Sequence, residues 1–219
     1  LGLRWPELSK GLKNSTVVAV GASLLALFLG SLAGFSLARY KFRRWSNKDI
    51  LVFFLAQRML PPVVLVVPFL IMFKAMRLVD TQLAMIMVTT TTNLPFVVLI
   101  MRDIFKEIPV ELDEAARVEG CSSFQIFYKV AIPLAASGLV AAGILVFAFT
   151  WNEYMFALSL TYQKAATIPI QIAGTGNVQG VQFWITSVRG LVAVIPPVVL
   201  ALFAQRFIVR GLTFGALKG

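Results

Sequence analysis

NSTVVAVGASLLALFLGSLAGFSLA, residues 14–38, contains no charged side chain. Wound as a helix at 1.5 Å per residue, it is about 37 Å long, enough to cross a hydrocarbon core of about 30 Å. The runs 81–101 and 130–152 are also uncharged. Residues 50–76 are long enough but carry Arg58, and 190–205 is short and borrows residues from Phe183 onward. Hydrophobic residues make up 58% of the 219, charged residues 14%, and mean hydropathy is +0.83. A soluble domain holds only about 45–50% apolar residues, so the chain reads as a polytopic membrane protein with five spans.

Twenty Lys and Arg against ten Asp and Glu give a net charge of +10. In a soluble protein that excess would point to nucleic acid. Here it follows the positive-inside rule. Arg39, Lys41, Arg43, Arg44 and Lys48 crowd one loop, Arg102, Lys106, Arg117 and Lys129 another, and Arg206, Arg210 and Lys218 the end. Those segments read as cytoplasmic. Arg4, Lys10, Lys13, Arg77 and Lys164 fall on the opposite side, the first three against the rule. The chain begins without Met or a signal-peptide pattern, in a segment that should be external, so a further span is expected upstream.

Pro61-Pro62, Pro68, Pro95 and Pro196-Pro197 interrupt the spans. Such breaks survive in a membrane where protein or a water-filled cavity satisfies the freed backbone groups, which favours a pathway-forming bundle, although kinked spans occur in many polytopic proteins. Gly21, Gly30 and Gly34 on the first span, and Gly138 and Gly143 on the fourth, allow close helix packing. YQKAATIPIQIAGTGNVQGVQFW, residues 162–184, is too polar to span and reads as an external loop. No internal repeat or flexible linker divides the chain, so residues 1–219 read as one domain. Its expected spans are 14–38, 50–76, 82–101, 131–158 and 184–207, with a cytoplasmic loop at 102–130.

The sequence carries no catalytic constellation. Without histidine there is no Ser-His-Asp triad or HExxH zinc site, and the single Cys121 builds neither a disulfide nor a metal cluster. No G-x-x-x-x-G-K-[ST] loop is present. The chain is expected not to be an enzyme and to hold no metal or cofactor. Arg58, Glu153 and Arg189 are the ionisable residues at membrane depth, where charge marks pathways, relays or buried pairs. The plainer reading places Glu153 at the outer interface with Trp151 and Tyr154, and lets Arg189 snorkel.

The stretch ELDEAARVEGCSSFQIFYKVAIP, residues 111–133, carries the more specific signal. Six of the ten acids, Asp103, Glu107, Glu111, Asp113, Glu114 and Glu119, lie between Met101 and Pro133, so the segment is built as a surface. Pro109 and the early acids suit the start of a helix that Gly120 would end. Asp113 and Glu114 stand at i, i+4 and i, i+3 spacing to Arg117. Ser122 and Gln125 form an S-x-x-Q capping box for a second short helix presenting Phe124, Phe127 and Tyr128. A docking knob for another protein and an amphipathic hairpin on the membrane surface both fit, and the acidic surface, poorly suited to anionic lipid, favours the protein.

Glu114-Ala115-Ala116, three residues, Gly120, nine residues, Val130, one residue, then Ile132-Pro133 resembles the Glu-Ala-Ala motif of inner-membrane permeases of bacterial binding-protein-dependent ABC importers. Val130 and Ile132 replace the Ile and Leu usual in that motif. RMLPPVVLVVPF, TTNLPFVVLIMRDIFKEIPVELDEAARVEG, TWNEYMFAL and QRFIVRGLTFGALKG resemble the maltose-type carbohydrate-importer subgroup, and the likeness runs from about residue 14 to the end. The resemblance implies an all-α polytopic transmembrane helical bundle of the ABC type I importer permease fold, with a first span missing. It implies a permease subunit, not an enzyme, in the bacterial inner membrane, importing a sugar or sugar derivative.

Its implied partners are a second homologous permease, a cytoplasmic ABC ATPase dimer that binds ATP and Mg, and an extracytoplasmic solute-binding protein. Glu114, Ala115, Ala116, Gly120, Ile132 and Pro133 would couple to the ATPase, and Gly215, Lys218 and Gly219 would make a C-terminal contact with it. Asn93, Asn152 and Glu153 would line the pathway. The competing expectations are an ion-coupled secondary transporter or channel using Arg58 and Glu153, and a membrane scaffold whose loop recruits a soluble protein.

Overall fold

A computed structural model describes residues 5–174, 176–177, 180–181 and 183–216. The chain is helical: α1 (Trp5–Arg39), α2 (Asn47–Met59), α3 (Pro62–Ala75), α4 (Gln82–Glu107), α5 (Val110–Val118), α6 (Ser123–Ile126), α7 (Ile132–Leu134), α8 (Ala136–Trp151), α9 (Met155–Leu160), α10 (Ile168–Ala173) and α11 (Phe183–Ala216). A π-helical turn, Phe127–Ala131, joins α6 to α7, and Gly176–Asn177 pairs antiparallel with Gly180–Val181. Among the described residues, α1, α4 and residues 183–203 of α11 are each long and apolar enough to cross a membrane, and there are five such spans if each of two broken helix pairs counts as one.

One broken pair is the 50–76 run. Pro61 stands in extended conformation (φ −60°, ψ 131°) between α2 and α3, because the residue preceding a proline is pushed out of the helical region. The other runs from α6 through α8 and bends by 80°. Pro133 explains the wide turn there: it has no N–H to give Lys129, and its ring would clash with that carbonyl. The Ile132 N–H bonds instead to the Phe127 carbonyl, one residue further back.

The chain packs as two compact units interleaved in sequence. The unit of residues 24–59, 92–146 and 202–219 is centred on Phe35, Phe105 and Phe127, whose ring centroids are 5.3–6.2 Å apart. Phe127 is thus a core residue and not an exposed aromatic, whereas Phe124 and Tyr128 face outward. The small residues set the helix spacing. A Cβ on Gly34 would stand 2.8 Å from the Arg102 backbone nitrogen and 3.0 Å from Met101 Cβ, so α1 and α4 meet there backbone to backbone.

The unit of residues 1–23, 60–91 and 147–201 is centred on Phe69, Phe73 and Phe156, with Phe69 edge-on to Phe156 at 5.8 Å. Trp151 is buried and donates its indole N–H to the Ala193 carbonyl at 3.0 Å. The segment between α9 and α10 is held from several sides. The Asp80 carboxylate accepts from the backbone N–H groups of Tyr162, Gln163, Lys164 and Ala165 at 2.9–3.3 Å. Asn14 donates to the carbonyls of Lys164 and Ala166 at 2.9 Å, and Ser15 Oγ accepts the Ile168 N–H at 2.9 Å. α3 ends with Arg77 N–H on the Lys74 carbonyl and Leu78 N–H on the Phe73 carbonyl, a Schellman arrangement. Arg77 (φ 57°) and Asp80 (φ 62°) both occupy the left-handed region, at a cost of about 1–2 kcal/mol each for residues with a Cβ.

Candidate functional site

α5 begins after Pro109, which is the N-cap residue and not the first helical residue. Glu111 and Asp113 lie in its positive first turn. It ends in a second Schellman arrangement, with Gly120 N–H on the Arg117 carbonyl and Cys121 N–H on the Ala116 carbonyl. Gly120 has φ 85° and nothing within 4 Å of its missing Cβ, so backbone conformation, and not space, requires glycine there. The capping box is formed: Ser122 Oγ accepts the Gln125 N–H at 3.3 Å and Gln125 Oε1 accepts the Ser122 N–H at 2.7 Å.

Glu114, Ala115, Arg117, Val118 and Gly120 are exposed, with Val118 at 89%. Ala116 is half-buried and turned toward the core of its unit. Ile132 is half-buried and Pro133 exposed, both beyond the π turn. Phe124 and Tyr128, with ring centroids 5.6 Å apart, extend the exposed surface.

The residue that seats α5 is Asp113. It does not pair with Arg117. Its Oδ2 accepts from Arg39 Nε at 2.6 Å, and the two side chains are 2% and 4% exposed. Arg39 Nη2 also donates to the Ile108 carbonyl at 2.9 Å. The end of α1 therefore grips both ends of the turn leading into α5. In the sequence Asp113 suits the helix dipole and the i, i+4 spacing to Arg117, and Arg39 suits the positive-inside loop, and neither pattern points to the other residue. The available signal was an acid on the same helical face as the small Ala116.

The residues expected along a pathway are placed separately. Asn93 is buried on α4. Asn152 and Glu153 stand together at the break between α8 and α9; Asn152 Nδ2 donates to the Ala148 carbonyl at 2.8 Å, and Glu153 Oε1 accepts the Phe156 N–H at 3.0 Å. The Arg58 guanidinium lies 5.7 Å from the Phe96 ring centroid. Arg189 does not snorkel. It is buried, donates Nη1 to the Gln171 carbonyl at 2.7 Å, and has Nη2 3.5 Å from Glu7 Oε2. Gly215 belongs to α11, while Lys218 and Gly219 lie outside the described residues. Among the described residues no cluster of His, Cys, Asp or Glu could hold a metal.

Residues 26–214 match the model of the family described as binding-protein-dependent transport system inner membrane component. The chain belongs to this family. The permease is 40% identical over 215 residues to the trehalose transport system permease protein SugB of Mycobacterium tuberculosis, covering 96% of this chain and 77% of that one. It is 34% identical over 210 residues to the trehalose/maltose transport system permease protein MalG of Thermococcus litoralis, covering 95% and 75%. Among solved structures, a bacterial ABC transporter that imports the acidic polysaccharide alginate superimposes with a TM-score of 0.74 at 21% identity, over 94% of this chain and 75% of that one. The methionine ABC transporter MetNI, inward-facing, gives 0.74 at 20% identity over 95% and 97%. The permease is a multi-pass membrane protein with the fold of ABC transporter permeases.

Proposed function

We propose that this permease is the membrane-spanning subunit of an ATP-driven ABC importer for a sugar or sugar derivative in the bacterial inner membrane. It forms half of the translocation pathway with a second homologous permease, and takes its mechanical input from a cytoplasmic ATPase dimer through α5. A solute-binding protein delivers the solute from the other side. The relatives' names, trehalose and trehalose/maltose transport, support a carbohydrate as cargo. ATP and Mg belong to the ATPase partner.

The carrying observation is the two-sidedness of α5: Glu114, Ala115 and Val118 face outward while Asp113 is locked to Arg39. A small residue at the contact lets a helix sit close to its partner, a charge at the rim orients it, and the apolar Val118 supplies contact area. A rigid element moved by a nucleotide-driven partner shifts the bundle between inward and outward states when the partner binds the two states differently. Ile132 and Pro133 shape the turn that carries this motion into α8. Gly215, Lys218 and Gly219 make a second ATPase contact, and Asn93, Asn152 and Glu153 line the pathway.

Gentle extraction of the complex tests this. The ATPase co-purifies with the wild-type permease and is lost with Ala115→Arg, and trehalose or maltose uptake into reconstituted vesicles requires ATP. Absence of an ATPase from the wild-type complex, or uptake that persists without ATP and follows a proton gradient, overturns the proposal.

A further inference from the structure

Five exposed cations, Lys10, Lys13, Lys74, Arg77 and Lys164, belong to the unit centred on Phe73, and among the described residues none of them makes an ion pair. Each acid of that unit is engaged elsewhere: Glu7 by Arg189, Glu153 by the Phe156 N–H, and Asp80 by four backbone N–H groups. The backbone carrying three of the cations is fixed. Lys164 has its N–H on Asp80 and its carbonyl on Asn14, the neighbour of Lys13. Arg77 precedes Asp80 by three residues, and the Asp80 N–H in turn bonds to the Leu160 carbonyl at 2.7 Å. Tyr162, 63% exposed, projects from the same pinned segment.

Arg77 is the informative residue. It occupies the left-handed C′ position of a Schellman arrangement, where glycine is ordinarily favoured and where Gly120 stands at the end of α5. A long cationic side chain at a strained backbone position, on a corner that is otherwise over-determined, points to a role outside the fold.

We propose that Lys13, Arg77, Tyr162 and Lys164 form a docking surface for an acidic face of the solute-binding protein; this rests on the importer reading above. Lys13, Arg77 and Lys164 fall outside the cation-rich segments that the positive-inside rule assigns to the cytoplasm, on the side from which a solute-binding protein approaches. Tyrosine and arginine are the residue types enriched at protein interfaces. A protein partner, whose own charges are fixed in space, gains from a preorganised surface. Fluid lipid headgroups reach cations on any backbone, so rigidity at this corner has no use toward lipid.

The test uses the assembled importer in nanodiscs of phosphatidylcholine alone, with purified solute-binding protein titrated at 25 and 250 mM NaCl. The half-saturating concentration for stimulation of ATP hydrolysis is expected to rise about tenfold between the two salts, as charge steering is screened. Arg77→Gly/Lys164→Gln raises it about tenfold at low salt and flattens the salt dependence, whereas Arg77→Lys/Lys164→Arg retains both. The glycine at position 77 relieves the left-handed strain, so weaker docking cannot come from a damaged corner, and an unchanged or raised melting temperature confirms this.

Half-saturation and salt response in the double variant equal to wild type overturn the docking surface alone. An effect that appears only when phosphatidylglycerol is added makes the corner a lipid anchor and also overturns it. A wild-type complex whose ATP hydrolysis never responds to the binding protein overturns the importer reading and the surface together.

Discussion

Asp80→Asn keeps the shape of the side chain that pins residues 162–165 and removes its charge. In the wild type, Oδ1 accepts from Tyr162, Gln163, Lys164 and Ala165 at 2.9–3.2 Å, and Oδ2 from Gln163 and Lys164 at 3.3 and 3.0 Å. The asparagine oxygen retains the first set in weaker, neutral form, while its amide NH2 meets the N–H groups of Gln163 and Lys164 donor to donor. Hydrogen bonds to a charged group are worth about 1.5–3 kcal/mol against about 0.5–1.5 for neutral ones, so over the two shortest bonds the loss is about 2–3 kcal/mol. If the segment opens locally, protection of its amides falls by the same free energy, about 30- to 160-fold at RT of about 0.59 kcal/mol. Hydrogen exchange over residues 161–168 measures this, with trypsin cleavage after Lys164 as a second readout.

The pH dependence has a definite sign. Desolvation pushes the Asp80 carboxyl up, but the N–H groups of Lys164, Tyr162, Ala165 and Gln163 together hold it below its ordinary value. A depressed folded value means the stabilisation is fully present above the unfolded value, near 3.9, and is lost as pH falls through the lower folded value. Protection, corrected for intrinsic exchange, should stay level from pH 8 to 5 and drop only below about pH 4, and the asparagine variant should lack that drop. Protection in the variant within threefold of wild type, or wild-type protection lost between pH 7 and 5, would refute the reasoning.

Asp113→Ala leaves the Arg39 charge buried at 4% exposure with only the Ile108 carbonyl as partner, and removing one member of a buried pair costs about 3–5 kcal/mol. A thermal melt of the detergent-solubilised permease should register that loss, and Asp113→Glu should recover part of it. Gly34→Ala and Gly120→Ala separate two reasons for glycine. The first drives a Cβ into the Arg102 and Met101 backbone and costs about 1–3 kcal/mol by overpacking. The second meets open space but holds a Cβ at φ 85°, costing about 1–2 kcal/mol, and Gly120→Asn should recover most of that because asparagine tolerates the left-handed region. Equal loss in Gly120→Ala and Gly120→Asn would contradict the backbone explanation.

Local patterns in the sequence predict what is local in the structure. An apolar run of sufficient length marks a helix such as α1, and S-x-x-Q at 122–125 marks a capping box, because both depend on residues within a few positions of each other. The Pro61-Pro62 break and the turn at Gly120 are legible for the same reason. The partnerships Arg39 with Asp113, Asp80 with 162–165, and Asn14 with Lys164 and Ala166 join residues about 70 to 150 positions apart, where no periodicity or cap connects them. Phe127 shows the same limit on a smaller scale. Four residues of α6 do not define an amphipathic face, and only Phe35 and Phe105 make its inward direction evident.

Asp113 and Glu114 are neighbours, equally acidic, and their fates are opposite. Successive residues of a helix are turned by about 100°, so one carboxylate is directed at Arg39 and the other at solvent. A helix that receives force from a partner must both present a face and be fastened behind it; an exposed face alone would slide, and a buried one alone would transmit nothing. Ala116, on the fastened side, is small enough for α5 to lie against the core through Asp113, and Ala115, on the presented side, is small enough for close approach from outside. In the coupling reading, the Glu-Ala-Ala tripeptide needs the residue before it as much as the residues it contains.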